Sequence, residues 1–226
     1  MKSFLLCYIT DRQQLRSVSL TAVIRETLRA GVDMVQIREK DLASRELIAL
    51  VEEALCAARE PREGFEERAF GPVSREHPAR ATVLVNDRLD VALAAGAKGV
   101  HLGTHSMPVQ AVRQIAPRPF VLGVSCHSLS EAMAAESGGA DYLVLGPVFE
   151  TPSKLRYGPP LGLQTLREIV AQITIPVLAL GGITVERVRP CLEAGASGIA
   201  GIRIFQDCDS VQERVRELRA AVGSKQ

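Results

Sequence analysis

Short apolar runs recur along this chain. Each gives way to a few polar residues and then to a segment with helical spacing. The runs Phe4 to Ile9, Asp33 to Ile37, Thr82 to Val85, Gly99 to Leu102, Phe120 to Val124, Tyr142 to Leu145, Pro176 to Leu180 and Ile199 to Ile202 have the length and bounding residues of buried strands. Helices are expected between them. The first covers Val18 to Ala30 and stops at Gly31; the second is capped by Ser44 and places Leu47, Ile48, Val51, Ala54 and Leu55 on one face. Others run through Val91 and Leu93, open near Pro108, and start from a Ser128–Glu131 capping box that runs out at Gly138-Gly139. Leu163 to Gln172 and a helix capped by Thr184 follow, and Val211, Val215, Leu218 and Val222 mark one face of the last.

Eight strand-then-helix units with no leftover element predict an α/β fold, a single-domain (β/α)8 TIM barrel over residues 1–226. An open doubly wound sheet could absorb the same alternation, but eight units at this length favour closure. Residues 60–80 break the rhythm. They are charged, carry three prolines and two glycines and show no period, so they read as a surface insertion, an inert one in preference to a lid.

Composition narrows the function classes. Hydrophobic residues make up 46% of the chain without any tryptophan, so Ala, Val, Ile, Leu and Gly carry the burial, as a helix-covered parallel sheet requires. A net charge of +1 argues against nucleic acid or an anionic membrane as partner. No apolar run approaches membrane-spanning length, and the first residues meet Thr10-Asp11-Arg12 too early for a secretory signal. The five cysteines are scattered and form no C-x-x-C pair, which points to reduced, mostly buried thiols and a cytoplasmic location. Small molecules are the expected partners; self-association into a homo-oligomer stays open.

In such barrels the chemistry lies at the C-terminal strand ends. Arg38, Lys40, Asn86, Asp87, Thr104, His105, Ser125 and His127 fall there. After the sixth strand, Gly146 and two prolines shape a loop in which Thr151, Ser153 and Lys154 supply two hydroxyls and an ammonium, a set suited to an anion. Gly181-Gly182 after the seventh strand, and Gly201 with Arg203 after the eighth, have the placement of a phosphate seat. Arg38, Lys40 and Lys154 exceed what one monophosphate needs. With Asp87 they point to a diphosphate carrying Mg²⁺. Plainer roles exist: a turn residue at Asp87, an ion pair from Arg38 to Glu39 or Asp11, ordinary turn glycines at 181 and 182. Cys126 and His127 alternate across a strand and do not form a dyad, and His101 and His105, separated by Gly103, do not make a zinc site.

With these residues placed, the chain resembles the thiamine phosphate synthase and thiazole tautomerase family. The resemblance rests on Tyr8-Ile9-Thr10-Asp11, Gln36-Ile37-Arg38-Glu39-Lys40, Val85-Asn86-Asp87-Arg88, Gly99-Val100-His101-Leu102-Gly103, Leu122-Gly123-Val124-Ser125, Gly139-Ala140-Asp141-Tyr142, Gly146-Pro147-Val148-Phe149 and Gly181-Gly182-Ile183. In the synthase branch it implies joining of a hydroxymethylpyrimidine diphosphate to a thiazole phosphate with release of pyrophosphate. Gln36, Arg38, Lys40 and Asn86 then match positions holding the pyrimidine diphosphate, and Asp87 a Mg²⁺ ligand. Thr151, Ser153 and Lys154 match the loop bridging both substrates, and Gly182 part of the thiazole phosphate seat. Two positions depart from the pattern. Ser106 stands where synthases usually carry a second metal-binding aspartate, with a helix cap as its plainer role. Arg203 lies in Gly201-Ile202-Arg203-Ile204-Phe205, where the family has small residues; it either adds charge at the phosphate or points to an acidic neighbour. The tautomerase branch, which moves a proton on a thiazole carboxylate phosphate, matches His127. A catalytically silent thiazole-phosphate-binding barrel is the third reading. The joint presence of Arg38, Lys40, Asn86, Asp87 and Lys154 favours the synthase.

Overall fold

The computed structural model describes residues 4–15, 18–60, 81–151 and 159–223. Eight parallel strands close on themselves in chain order: β1 (Leu5–Ile9), β2 (Met34–Ile37), β3 (Thr82–Asn86), β4 (Gly99–Leu102), β5 (Val121–Cys126), β6 (Tyr142–Leu145), β7 (Val177–Leu180) and β8 (Gly198–Gly201). The last seam pairs Tyr8 with Gly201. The expected (β/α)8 barrel is therefore the fold. Around it lie α1 (Leu20–Arg29), α2 (Ser44–Ala57), α3 (Leu89–Ala94), α4 (Val109–Ile115), α5 (Leu129–Ser137), α6 (Gly162–Val170), α7 (Val185–Glu193), α8 (Arg203–Gln206) and α9 (Val211–Gly223).

Strand alternation splits the core in two. Side chains of one parity, among them Leu6, Val35, Val83, Val100, Leu122, Leu143 and Ile199, pack outward under the helices. Those of the other parity, including Cys7, Ile9, Met34, Leu84, Tyr142, Val144, Leu178 and Ala200, fill the barrel. The interior is thus plugged by side chains, and a ligand can enter only at an end.

Several local expectations need correction. The extra helix α8, four residues long, stands between β8 and α9, so the alternation does have a leftover element. Ala43, not Ser44, is the N-cap of α2; its N–H donates to the Glu46 carboxylate at 3.1 Å, while the Ser44 hydroxyl accepts from Arg88. Thr184 occupies the cap position of α7 without a side-chain cap bond. Half of the Ser128–Glu131 box forms: Ser128 Oγ accepts from the Glu131 N–H, but the Glu131 carboxylate takes the His127 N–H instead of that of Ser128. Val222 is exposed and leaves the apolar face of α9 to Val211, Val215 and Leu218. The expected insertion lies outside the described residues apart from Glu60, which pairs with Arg25 and Arg29. Among the described residues no helix is long and apolar enough to cross a membrane, and all five cysteines are free thiols.

Candidate active site

The rim at the C-terminal strand ends is built by brackets between neighbouring strands. Thr10, just past β1, accepts the Arg38 N–H at 2.8 Å and donates to Glu39 at 2.6 Å. Both Glu39 oxygens also receive the Arg12 N–H. Burial pushes the Glu39 carboxyl up from its usual value, against the pull of the bonds from Thr10 and Arg12. This buried bracket fixes the backbone between Arg38 and Lys40, so the two cations leave a rigid base. Among the described residues Arg38 is half-buried with a loose 3.8 Å pair to Asp11, and Lys40 is exposed. The Asp11 alternative for Arg38 is therefore partly realised, whereas Glu39 is engaged elsewhere.

One step around the barrel, Gln36 on β2 donates from Nε2 to Asn86 Oδ1 on β3 at 2.8 Å. The Gln36 side chain is buried, yet among the described residues its Oε1 has no partner. Buried acceptors are usually paired, so this oxygen is a candidate contact for a donor at the mouth. Asp87 follows at φ +65, a left-handed turn, with its carboxylate exposed. The backbone thus serves the turn expected of it, and the side chain is left in solvent at the strand end. On β4 and β5, His101 is buried between Tyr142 and Ser125, with Nε2 at 2.8 Å from Ser125 Oγ. Thr104 and His105 are exposed on the β4–α4 connection. Ser106 is not the cap of α4, a position held by Pro108; it closes a turn by accepting the Gly103 N–H at 2.7 Å. A cavity of about 340 Å³ opens beside this point, between α4 and α5, with Ser125 in its wall.

His127 Nδ1 bonds to the carbonyl oxygen of Gly146, so the hydrogen sits on Nδ1 and the imidazole ties the end of β5 to the loop after β6. That loop then lies along the end of β7: the Val148 N–H donates to Leu180 O at 2.8 Å and the Phe149 N–H to Gly181 O at 3.1 Å. Gly181 and Gly182 have φ +98 and +62, and a Cβ on them would sit 2.6 Å from Pro147 Cβ and from Glu150 O respectively. The glycine pair is thus needed for close approach of the loop as well as for its turn. Arg187, unforeseen in the sequence, stacks 4.6 Å over the Phe149 ring and donates to Gly182 O at 2.6 Å. Thr151 is half-buried at the last described position of the loop; Ser153 and Lys154 lie outside the described residues. Gly201 ends β8, and Arg203 is exposed on α8 with Nε 3.2 Å from the Gln14 amide oxygen. That partner is neutral, so of the two alternatives for Arg203 the acidic neighbour is not seen among the described residues.

The described residues contain no cluster of three or more histidine, cysteine or carboxylate side chains fit for a metal. Cys126 is buried and its thiol pushed up to about 12 by burial, and it faces away from His127. No nucleophile pair forms there. What remains among the described residues is a barrel mouth that presents cations, amides and hydroxyls, an arrangement of the kind that handles phosphorylated small molecules by charge and orientation.

Comparison with known proteins narrows that class. A family model described as thiamine monophosphate synthase matches residues 68–205. A putative thiamine-phosphate synthase of Geobacter sulfurreducens is 42% identical over 217 residues, 96% of this chain and 93% of that protein. A thiamine-phosphate synthase of Methanospirillum hungatei is 40% identical over 86% of this chain and 85% of its own length. The solved thiamine phosphate pyrophosphorylase of Pyrococcus furiosus superposes with a TM-score of 0.82 at 35% identity, covering 98% of this chain and 96% of that one. The chain belongs to the thiamine monophosphate synthase family.

Proposed function

We propose that this chain is a thiamine-phosphate synthase, a transferase that joins a hydroxymethylpyrimidine diphosphate to a thiazole phosphate and releases pyrophosphate. The observation that carries the reading is identity near 40% to proteins of that name over nearly the whole chain. The mouth agrees with it: Arg38 and Lys40 stand on the Thr10–Glu39 bracket beside the Gln36–Asn86 pair.

In this mechanism the diphosphate lies against Arg38 and Lys40, whose charges stabilise the negative charge that grows on it as the C–O bond breaks. Gln36 and Asn86 orient the pyrimidine, with Gln36 Oε1 taking an N–H of the ring or its substituent. Ser125 and Thr151 donate hydroxyls, and the glycines at 181, 182 and 201 seat the thiazole phosphate, with Arg203 adding charge at its edge. The thiazole nitrogen is the nucleophile, so this chemistry needs no strong protein base. His127 keeps the β6 loop in place through Gly146.

The donor set also fits Mg²⁺. One exposed carboxylate at Asp87, with the Ser106 hydroxyl engaged by Gly103, suits an ion that draws most of its ligands from diphosphate oxygens and water. When bound, such an ion neutralises leaving-group charge. Free thiols throughout support a reducing, cytoplasmic setting.

The test is pyrophosphate release from purified protein. Release that requires both substrates and Mg²⁺ is the expected result. No release alongside an active control enzyme removes the proposal.

A further inference from the structure

Three polar side chains form a continuous line across the barrel interior. Tyr142 on β6 has its hydroxyl 2.9 Å from His101 Nδ1 on β4, and His101 Nε2 is 2.8 Å from the hydroxyl of Ser125 on β5. The intervening strand position is Gly123, where a Cβ would lie 2.2 Å from the Tyr142 ring. Glycine there is what lets the tyrosine reach the histidine. Among the described residues His101 is the recorded hydrogen-bond partner of both hydroxyls, and each ring nitrogen serves one of them.

Two proton arrangements satisfy these distances. In the first, Tyr142 donates to Nδ1, Nε2–H donates to Ser125 Oγ, and the Ser125 proton is left over. In the second, Ser125 donates to Nε2, Nδ1–H donates to Tyr142, and the tyrosine proton is left over. The two ends differ in surroundings. Tyr142 is 3% exposed and packs inside the barrel with Cys7, Val144, Leu178 and Ala200, so its leftover proton would meet at best a weak sulfur acceptor, while Ser125 is half-buried at the mouth, where water or a ligand can accept.

We propose that His101 is held by Tyr142 as the neutral Nε2–H tautomer and acts as the positioning residue that turns the Ser125 hydroxyl proton toward the substrate. The line thereby converts a hydroxyl that could accept or donate into one that only donates outward, as an anionic substrate needs. The cationic imidazole is opposed by burial, which lowers the His101 pKa from 6.5 to about 3. The proposal rests on the reading of Ser125 as a substrate contact.

Two measurements keep those readings apart. Two-bond ¹H–¹⁵N correlation on histidine-labelled protein reads the tautomer without substrate. His101 protonated at Nε2 and unchanged between pH 6 and 8 is expected; a proton on Nδ1 overturns the proposal. Steady-state pyrophosphate release is then compared in Ser125→Ala, Tyr142→Phe and the double variant. Each single variant is expected to lose about tenfold in kcat/KM, and the double no more than the weaker single, since both remove one donated hydrogen bond to an anion. Multiplied losses in the double variant overturn the coupling. Full activity in Ser125→Ala instead removes the substrate contact, whatever the tautomer.

Discussion

The two ends of the barrel are both rich in charge, but they differ in how much of it the fold consumes. At the N-terminal end the charged groups are consumed by backbone. Arg219 donates to Phe4 O, Gly31 O and Asp33, and Asp33 in turn accepts the Leu6 N–H. Arg113 binds the carbonyls of Gly139, Ala116 and Phe120 together with Asp141, which accepts the Leu122 N–H. Glu136 takes the hydroxyl and N–H of Thr174. At the C-terminal end Lys40 and Asp87 are exposed, and among the described residues Arg38 has one loose pair and Gln36 Oε1 has no partner. At the C-terminal end Glu39 and Arg187 are staples as well, but beside them the same residue types also stand as open valences. Satisfaction of hydrogen-bonding capacity, and not residue type, separates structure from function here.

Substitutions should split along that line. Arg38→Ala or Lys40→Ala is expected to give the largest effect on turnover, a fall in kcat of about 10²–10³ typical of losing one charge-stabilising donor, with Tm nearly unchanged. Steady-state kinetics beside thermal melting checks both halves. Asp141→Ala should do the reverse. It strips two arginines and one backbone N–H of their acceptor and is expected to lower stability by about 2–3 kcal/mol, while folded protein keeps its kcat. A denaturant series with activity measured at low temperature would expose any exchange of these roles.

The interior histidine gives a smaller effect of definite sign. The folded-state pKa of His101 is depressed from 6.5 to about 3, so between those values the unfolded chain binds a proton that the folded chain refuses. Its contribution to stability is therefore complete above pH 6.5 and declines as the pH falls toward 3. Between pH 6.5 and 5 the native protein should lose about 1–2 kcal/mol more than His101→Gln does, read from paired urea titrations.

Much of this was legible in the sequence. The strands β4 and β6 match the expected runs residue for residue, four others differ by one residue at one end, and β5 and β8 differ by one or two residues at both ends. Apolar runs bounded by turn residues are a strong signal because every strand in a closed parallel barrel is covered on both sides. The rim residues were legible for the same reason: once the strands are placed, Gln36, Arg38, Asn86, Asp87 and Ser125 can only fall at their ends. The four-residue α8 escaped because one turn shows no periodicity. Ser44 was misplaced because its hydroxyl answers to Arg88, a partner 44 positions away. The Tyr142–His101–Ser125 line spans 41 and 24 positions and becomes visible only when β4, β5 and β6 are neighbours and their inward parity is known. Asp141 lay within the resemblance blocks, yet nothing in its local sequence distinguishes a staple from a ligand.

The claim that the open valences at the mouth exist to hold a diphosphate can be tested without turnover. Inorganic pyrophosphate with Mg²⁺, titrated calorimetrically into the native protein, Arg38→Ala and Arg113→Ala, sets the two ends against each other. Saturable binding that is lost in Arg38→Ala and kept in folded Arg113→Ala is the predicted result. Equal binding by the native protein and Arg38→Ala would contradict the account.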